Sequence, residues 1–367
     1  MARIMLAALL LIHGLIHLMG FAKAFKLADI HQLTQPISRS VGVLWLLTAA
    51  IFVIIVGLLA FKKDTWWMLA ILAVIISQML IFASWQDAKF GTIANVIVIV
   101  GIIIGYGIWS FNQMTNKELH ALMPVRSFPS ALITESNLTG LPSVVQRWLK
   151  RANIVGKERI YTVQLYQKGK MRTTPHSAWM PVEAQQYFTT DPPGFIWIAD
   201  VKMMPMLHLS GRDKFVNGKG NMLIKALSLL TVADAKGAET DQGTALRYLA
   251  EIIWFPTAAL NHYIHWEEID ASSAKATLTY DDRTVSGIFY FNSDSDMIAF
   301  EADRYYDRKG GATLEKWHIE STEYGERNGI RMPVASEVTW KLKEGDFTWY
   351  KLEIPNVIYN QRPSIFY

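Results

Sequence analysis

The sequence predicts a membrane α plus soluble, mainly β chain, in which a four-helix transmembrane anchor precedes a curved antiparallel sheet (a half-barrel) with one or two packed helices. Two observations predict this class. Four long, uncharged apolar runs fill the first 111 residues, whereas much of the remaining sequence alternates apolar and polar residues in short runs between turn signals. The expected domains are the anchor over residues 1–111, a linker over 112–142 and the soluble domain over 143–367.

The four apolar runs of the anchor cover residues 4–22, 41–61, 66–85 and 91–111. Each has about 20 residues, which is enough for a helix to cross the hydrocarbon core of a bilayer. The first run reaches Lys23 without a small-residue cleavage site, so we expect it to be retained and not removed as a signal peptide. An even number of spans places the amino terminus and the soluble domain on the same side of the membrane.

The charges divide unevenly between the two parts of the chain. The protein has 36 Lys and Arg against 32 Asp and Glu, and the excess of basic residues lies in the anchor. The soluble part is therefore balanced, which excludes the concentrated basic surface that nucleic-acid binding needs. Basic residues flank the spans in nearly equal number on both sides, so they leave the orientation open. The lack of cysteine excludes disulfides, thiolate metal sites and cysteine nucleophiles.

Two histidines, His13 and His17, lie one helical turn apart inside the first apolar run. Ionisable groups within a bilayer are functional candidates by default, so a proton, quinone or metal role is open. A haem needs ligands from two helices, and the other three runs contain no histidine. The simpler interpretation is that two neutral imidazoles hydrogen-bond to neighbouring helices, which pack closely at Gly14 and Gly20.

Alternating runs mark the strands of the soluble domain. Tyr161, Val163 and Leu165 begin the pattern, and Gly169 is expected to turn the chain into Met171. Further strands are expected at residues 184–189, 195–203, 275–280, 285–291, 297–305, 314–323, 334–343 and 346–354. Because the later strands follow one another without intervening helices, we expect antiparallel pairing and a strongly curved sheet.

Two segments of the soluble domain are predicted to be helices. Residues 141–151 have an apolar stripe at helical spacing. Residues 243–255 are apolar on nearly all sides and end at Pro256, so we expect this helix to be buried against the concave side of the sheet. Its only charged residues, Arg247 and Glu251, are four positions apart on one face. They form either a buried salt bridge that ties the helix to the sheet or a polar group at the floor of a cavity.

Motifs for catalysis or cofactor binding are absent from the sequence, so no cofactor is expected. Residues 218–220 have two glycines but lack the third glycine and the helix of a dinucleotide-binding loop. His262 and His265 resemble metal ligands, but Pro256 ends the helix before them and removes the geometry of a helical zinc site. No catalytic residue and no metal site are therefore predicted.

A distinctive string lies on the second predicted helix, where RYLAE is followed two positions later by WFPTA over residues 247–258. Two further elements, LPSVVQR at 141–147 and PGFIW at 193–197 with Met203, occur in the same order. Over residues 138–360 the chain thereby resembles an uncharacterised family of bacterial membrane-associated proteins. That family has no established activity, so the resemblance implies no chemistry.

The last strands carry a second pattern, with Asn328-Gly329 and Glu344-Gly345 turns and a closing run at residues 352–360. These strands resemble the end of lipoprotein-carrier (LolA-type) domains, which are curved sheets that hold acyl chains against an apolar concave face. The resemblance implies that the soluble domain lies on the extracytoplasmic side of the membrane.

Together these patterns favour a membrane-anchored binding or carrier-like module for a membrane lipid or other hydrophobic molecule. The expected ligand-binding residues are the charged pair on the helix with nearby aromatic and methionine side chains: Arg247, Glu251, Trp254, Phe255, Trp197 and Met203. The alternative is an enzyme that acts on a membrane-derived substrate and uses Arg247, Glu251 and nearby ionisable residues. A deep apolar groove would favour carriage, whereas convergent ionisable residues in a pocket would favour chemistry.

Overall fold

The computed structural model describes residues 2–123, 129–205, 207–308 and 311–361. The described chain forms two compact units. The first covers residues 2–114 with Leu227–Leu229, and the second covers Thr115–Ala226 and the described residues from Leu230 onward.

The predicted membrane helices are α1 (Ala2–Ala24), α2 (Arg39–Ala60), α3 (Trp66–Ala83), the single turn α4 (Trp85–Ala88) and α5 (Gly91–Leu122). They form the first unit, except that α5 belongs to the second unit from Thr115 onward. Four of these helices are long and apolar enough to cross a membrane, which confirms the expected number of spans. Their connections alternate between the two ends of the bundle. Thr34 donates to Asp87 at one end, and Asn112 donates to Asp64 at the other, as antiparallel neighbouring helices require.

The fourth long helix continues well beyond its apolar run. The sequence places a linker from residue 112, but α5 remains helical to Leu122. Leu119 and Met123, which like Tyr187 belong to the second unit, are buried against that residue. The polar segment from residue 112 to Leu122 therefore remains helical, because its apolar residues recur at helical spacing and pack against the sheet.

Within the described residues, thirteen strands form one antiparallel sheet in the second unit. The strands are β1 (Thr162–Met171), β2 (Met180–Thr190), β3 (Pro193–Met204), β4 (Leu207–Val216), β5 (Lys219–Ala226), β6 (Leu230–Ala235), β7 (Ile264–Asp270), β8 (Ser273–Tyr280), β9 (Arg283–Phe291), β10 (Met297–Arg308), β11 (Gly311–Arg327), β12 (Ile330–Leu342) and β13 (Gly345–Tyr359). Four of them, β4 to β7, were not expected from the sequence. The expected turn at Gly169 is wrong, because this glycine pairs within β1 and its missing side chain admits the Lys351 carbonyl oxygen.

The sheet is a meander that starts in the middle, and the twist of its strands makes it curl. β1 pairs with both β2 and β13, the chain runs out to β6 at one edge, and it returns from β7 at the other. Eight steps separate β4 from β9. A twist of about 20–25° per strand adds up to roughly half a turn over that distance. The turn at Gly218 consequently lies against Asp281 in the turn before β9, and the sheet closes into the expected half-barrel.

Two helices of the second unit pack on this sheet. The helix α6 (Ser143–Arg151) buries its apolar stripe, as predicted. The crossing helix α7 (Ala238–Glu251) packs against strands from both halves of the sheet and is largely buried on the concave side. It begins earlier than the predicted residue 243, since Glu239 and Asp241 suit the positive end of the helix dipole. It also ends earlier than residue 255, and the following turns, Ile252–Trp254 and Pro256–Leu260, are 3-10 helices, because Pro256 disfavours helical geometry in the preceding residue.

Candidate functional site

The concave face of the half-barrel is layered along the direction of its strands. An inner layer of fully buried aromatic side chains packs around α7, and it includes Phe188, Phe195 and Phe215. Two residues further along the same inward faces, Gln186 and Asp213 begin a buried polar layer. Because side chains alternate across a strand, this step of two keeps the polar residues on the concave face.

The polar layer is organised by Arg247, which reaches from α7 to the strands. Its Nε donates to Glu251 at 2.7 Å, its Nη1 to Asp213 at 2.9 Å and its Nη2 to Gln186 at 3.3 Å. The guanidinium centre also lies 5.0 Å from the ring centroid of Trp197. The two expected site charges therefore meet as an ion pair, and a carboxylate and an amide from the strands complete the network.

Amide and hydroxyl groups extend the layer across the neighbouring strands. Gln186 donates to the second carboxylate oxygen of Glu251 at 2.6 Å and accepts from Gln167 at 2.9 Å. The Gln167 oxygen accepts from the Trp197 indole at 2.8 Å and from the Tyr350 hydroxyl at 3.1 Å. Glu251 is thus satisfied at both oxygens, and the network fixes the orientation of each amide.

Burial controls the ionisation of this layer. Burial raises the pKa of Asp213 and of Glu251 above the ordinary carboxyl range, and Arg247, which contacts both groups, opposes this rise. A second arginine, Arg304 on β10, lies near the same charges. Burial lowers the pKa of Arg304 to about 10, and the nearby Arg247 acts in the same direction while Asp213 opposes it.

Beyond the polar layer the concave face becomes apolar again, and its side chains are partly exposed. Buried Val182 and Val201 are followed by half-buried side chains that pack at the border of the core. We call these residues the apolar mouth: Met171, Met180, Leu209, Tyr306 and Leu342. Met171 and Met180 are direct partners across β1 and β2, and the Tyr306 ring lies 5.0 Å from the Trp340 ring.

The structure brings together only some of the residues that the sequence proposed. Arg247, Glu251 and Trp197 meet in the polar layer. Phe255 is fully buried against Phe188 in the inner core, and Trp254 is also buried, so both lie behind the polar layer and away from the mouth. Met203 is 47% exposed near the end of β3.

Sequence reasoning missed the strand-borne half of the polar layer, including Asp213, Gln186 and Arg304. One signal was available for Arg304, which follows Phe300 and Ala302 at a spacing of two on an inward strand face. A charged residue in such a position is expected to have a functional or structural partner. Asp213 lay in a strand that the sequence analysis did not recognise.

The histidine pair of the anchor lies in a separate polar cluster. His13 Nε2 is 3.0 Å from Asn95 Oδ1, and His17 Nε2 is 3.0 Å from Ser77 Oγ. Gly14 lies against Phe52, which leaves no room for a side chain there. Both imidazoles are buried and hydrogen-bonded to neighbouring helices, as the simpler interpretation predicts.

The fold and the site together define a class of membrane-anchored curved-sheet proteins. In this class a half-barrel wraps a helix, contains a buried charged layer and follows four helices of membrane-crossing length. The chain belongs to DUF6544, a family of unknown function, whose model matches residues 131–352. No curated protein matches the chain. Among solved structures, a DUF1329 family protein from Desulfovibrio piger is similar, with 9% identity and a TM-score of 0.36, over 60% of this chain and 94% of that one. Similarity at this level says nothing about a ligand.

Proposed function

We propose that this protein is a membrane-anchored binding module, with carrier-like exchange of its cargo, and that the apolar mouth holds the hydrocarbon part of a membrane-derived amphiphile. The observation that carries the proposal is the layering of the concave face. A soluble domain normally buries its apolar residues under a polar surface, yet here half-buried apolar side chains follow a buried charged layer. Apolar side chains in a concave, partly open position are typical of hydrophobic ligand sites.

The membrane anchor supports a lipid source for this ligand. Four helices of membrane-crossing length precede the domain, so the domain is held beside a bilayer at high effective concentration of lipid. We place the domain on the extracytoplasmic side of the cell membrane, as the resemblance of its last strands to lipoprotein carriers implies.

The hydrogen bonds of Glu251 favour binding over an enzymatic alternative that uses this carboxylate as the base. Both carboxylate oxygens of Glu251 already accept hydrogen bonds, from Arg247 and Gln186. A general base needs an oxygen that faces the substrate within hydrogen-bond distance. Glu251 therefore acts as a fixed part of the polar layer, and the ligand contacts come from the mouth.

Photolabelling of the full chain in phosphatidylcholine nanodiscs tests the proposal. The probe is a neutral sixteen-carbon fatty alcohol with a chain-borne diazirine, and labelled peptides are identified by mass spectrometry. We expect labels in peptides that contain Met171, Met180, Leu209 or Leu342, with competition by unlabelled alcohol. Labels confined to the membrane helices would contradict the proposal.

A further inference from the structure

We propose that Arg304 binds the anionic head group of a single-chain amphiphile whose tail occupies the apolar mouth. This inference rests on the proposed function and specifies the class of its ligand. It begins from the position of Arg304 on β10, between buried Ala302 and half-buried Tyr306 on the inward face. Arg304 thus lies at the border between the polar layer and the mouth.

Two neighbours fix the guanidinium of Arg304 in place. Its centre lies 4.5 Å from the ring centroid of Trp317 and 5.7 Å from that of Trp340. On the α7 side, a methyl group at Gly243 would lie 3.1 Å from its Nε, so the missing side chain of this glycine makes room for it. An arginine stacked on tryptophan is held in one plane while its N–H groups remain free to bind a ligand in that plane.

Arg304 lacks an acceptor for those N–H groups. Among the described residues it forms no hydrogen bond and no ion pair, although Asp213 and Glu251 lie near enough to influence its charge. Arg247, in the same region, is bound by two carboxylates. Arg308, four positions further along the same strand face, is bound by Glu344 at 2.9 Å and Glu315 at 3.2 Å. The guanidinium is half-buried and carries five donors, so an anion could bind it through several of them.

The surroundings of Arg304 favour an anion with an apolar tail. Tyr306 is the next inward residue on β10, and Leu342 is the next inward residue after Trp340 on β12. A ligand whose head reaches Arg304 therefore places its following carbons against mouth residues. Carboxylate and phosphate both match the planar fork of arginine through two parallel hydrogen bonds. The shared chemistry is a single-chain anionic amphiphile, either a fatty acid or a lysophospholipid with a terminal phosphate.

The test compares head groups on one hydrocarbon chain. Full-length protein in phosphatidylcholine nanodiscs is labelled with three diazirine probes: a sixteen-carbon fatty acid, the matching alcohol and the matching acylglycerol phosphate. The variants are Arg304→Gln, Gly243→Ala, which displaces the guanidinium and keeps its charge, and, as the control, Arg147→Gln at an exposed arginine of α6. Gly243→Ala also keeps the protein folded, because alanine favours a helix interior over glycine.

We expect Arg304→Gln to reduce labelling of mouth peptides by at least one anionic probe about tenfold to a hundredfold, as the loss of charge-assisted hydrogen bonds implies. Gly243→Ala should reduce the same labelling severalfold, whereas Arg147→Gln should leave it unchanged. Labelling by the alcohol should not respond to any of these substitutions. The anionic probe with the larger loss identifies carboxylate or phosphate as the natural head group.

Two outcomes would contradict the inference in different ways. If anionic labelling in Arg304→Gln and Gly243→Ala stays within twofold of wild type while the alcohol still labels the mouth, the head-group assignment is wrong and the proposed function stands. If no probe labels the mouth in the wild-type protein, the proposed function fails and the inference fails with it.

Discussion

Arg247 joins three elements through one side chain, because its guanidinium donates to Glu251 on α7, Asp213 on β4 and Gln186 on β2. The loss of Arg247 and the loss of Glu251 should therefore affect stability differently. Removal of Arg247 leaves two buried carboxyl groups without a direct cation, whereas removal of Glu251 leaves Arg247 still paired with Asp213. Substitutions of Arg247 and of Glu251 should therefore lower the free energy of unfolding by different amounts.

We predict that Arg247→Met destabilises the protein by about 3–5 kcal/mol, the usual effect of leaving a buried charge uncompensated. Glu251→Gln should cost about 1–3 kcal/mol, since one charged acceptor is lost but the cation keeps its other partner. Thermal unfolding of the full chain in detergent measures both. Lys341→Met is the matched control, because the Lys341–Asp346 pair is exposed and should contribute less than about 1 kcal/mol. Equal melting temperatures for Arg247→Met and wild type would contradict the structural role of the layer.

The pH dependence of stability should report the buried carboxyl groups. The folded-state pKa of Glu251 lies above its ordinary value, so between the unfolded-state and folded-state pKa values the folded protein holds a proton that the unfolded chain has released. This stabilising contribution is full below the unfolded-state pKa and is lost as the pH rises toward the folded-state pKa. We predict that the stability of wild type relative to Glu251→Gln declines as the pH rises from about 4. A difference that grows with pH would show that the pKa of Glu251 is lowered.

The contacts of Arg247 and Glu251 could be predicted only in part from the sequence. Two charges four apart on an apolar helix require burial and a partner, and these two constraints predicted the Arg247–Glu251 contact. Their third partner, Asp213, is contributed by β4, and nothing in the local pattern of 207–216 linked that strand to the helix. Long-range pairings of this kind depend on sheet order, which local periodicity does not encode.

At the scale of elements, the first turn of α7 is fixed by contacts with both halves of the sheet. Near its start, Asp241 accepts from the Gly220 backbone N–H at 2.7 Å on β5 and from Arg283 at 2.7 Å on β9. The same carboxylate also lies at the positive end of the helix dipole. Asp241 therefore links two strands that are far apart in the sheet order.

We predict that Asp241→Ala lowers the free energy of unfolding by about 2–4 kcal/mol, because two charge-assisted hydrogen bonds are lost and a buried backbone N–H is left unpaired. Glu239→Ala is the matched control, since Glu239 is an exposed acid in the same first turn and should change stability by about 0.3–1 kcal/mol. Chemical denaturation followed by circular dichroism compares the two. A smaller effect for Asp241→Ala than for Glu239→Ala would show that the link between the strands carries little stability.

The boundaries of several helices and strands could not be predicted from the sequence alone. Apolar run length located the membrane helices, but α5 continues for a further polar stretch that looked like a linker. The missing information was tertiary, because Glu118 in this stretch pairs with Arg212 at 2.9 Å and Lys214 at 2.7 Å on β4. The strands β4 to β6 were missed for a related reason. Their burial does not alternate cleanly, since part of the hairpin 219–235 is exposed on both faces.

At the scale of the whole molecule, the orientation in the membrane is accessible because the chain contains no cysteine. Single-cysteine variants at Lys63, between α2 and α3, and at Glu320, on β11, should be labelled by an impermeant maleimide in right-side-out vesicles. Gln32→Cys, in the loop between α1 and α2, should be labelled only in inside-out vesicles. The opposite pattern would place the soluble domain in the cytoplasm and contradict the proposed location.

The most direct test of the proposed function is the amount of amphiphile that the intact protein retains. Native mass spectrometry of the full chain, released from nanodiscs made with its native membrane lipids, should show a bound amphiphile in wild type. Leu209→Asp, which places a charge in the apolar mouth, should lose that adduct, whereas Leu314→Asp, at a 55% exposed position outside the mouth, should keep it. Equal adduct intensity in wild type, Leu209→Asp and Leu314→Asp, with unchanged melting temperatures, would contradict the assignment of the mouth as the ligand site.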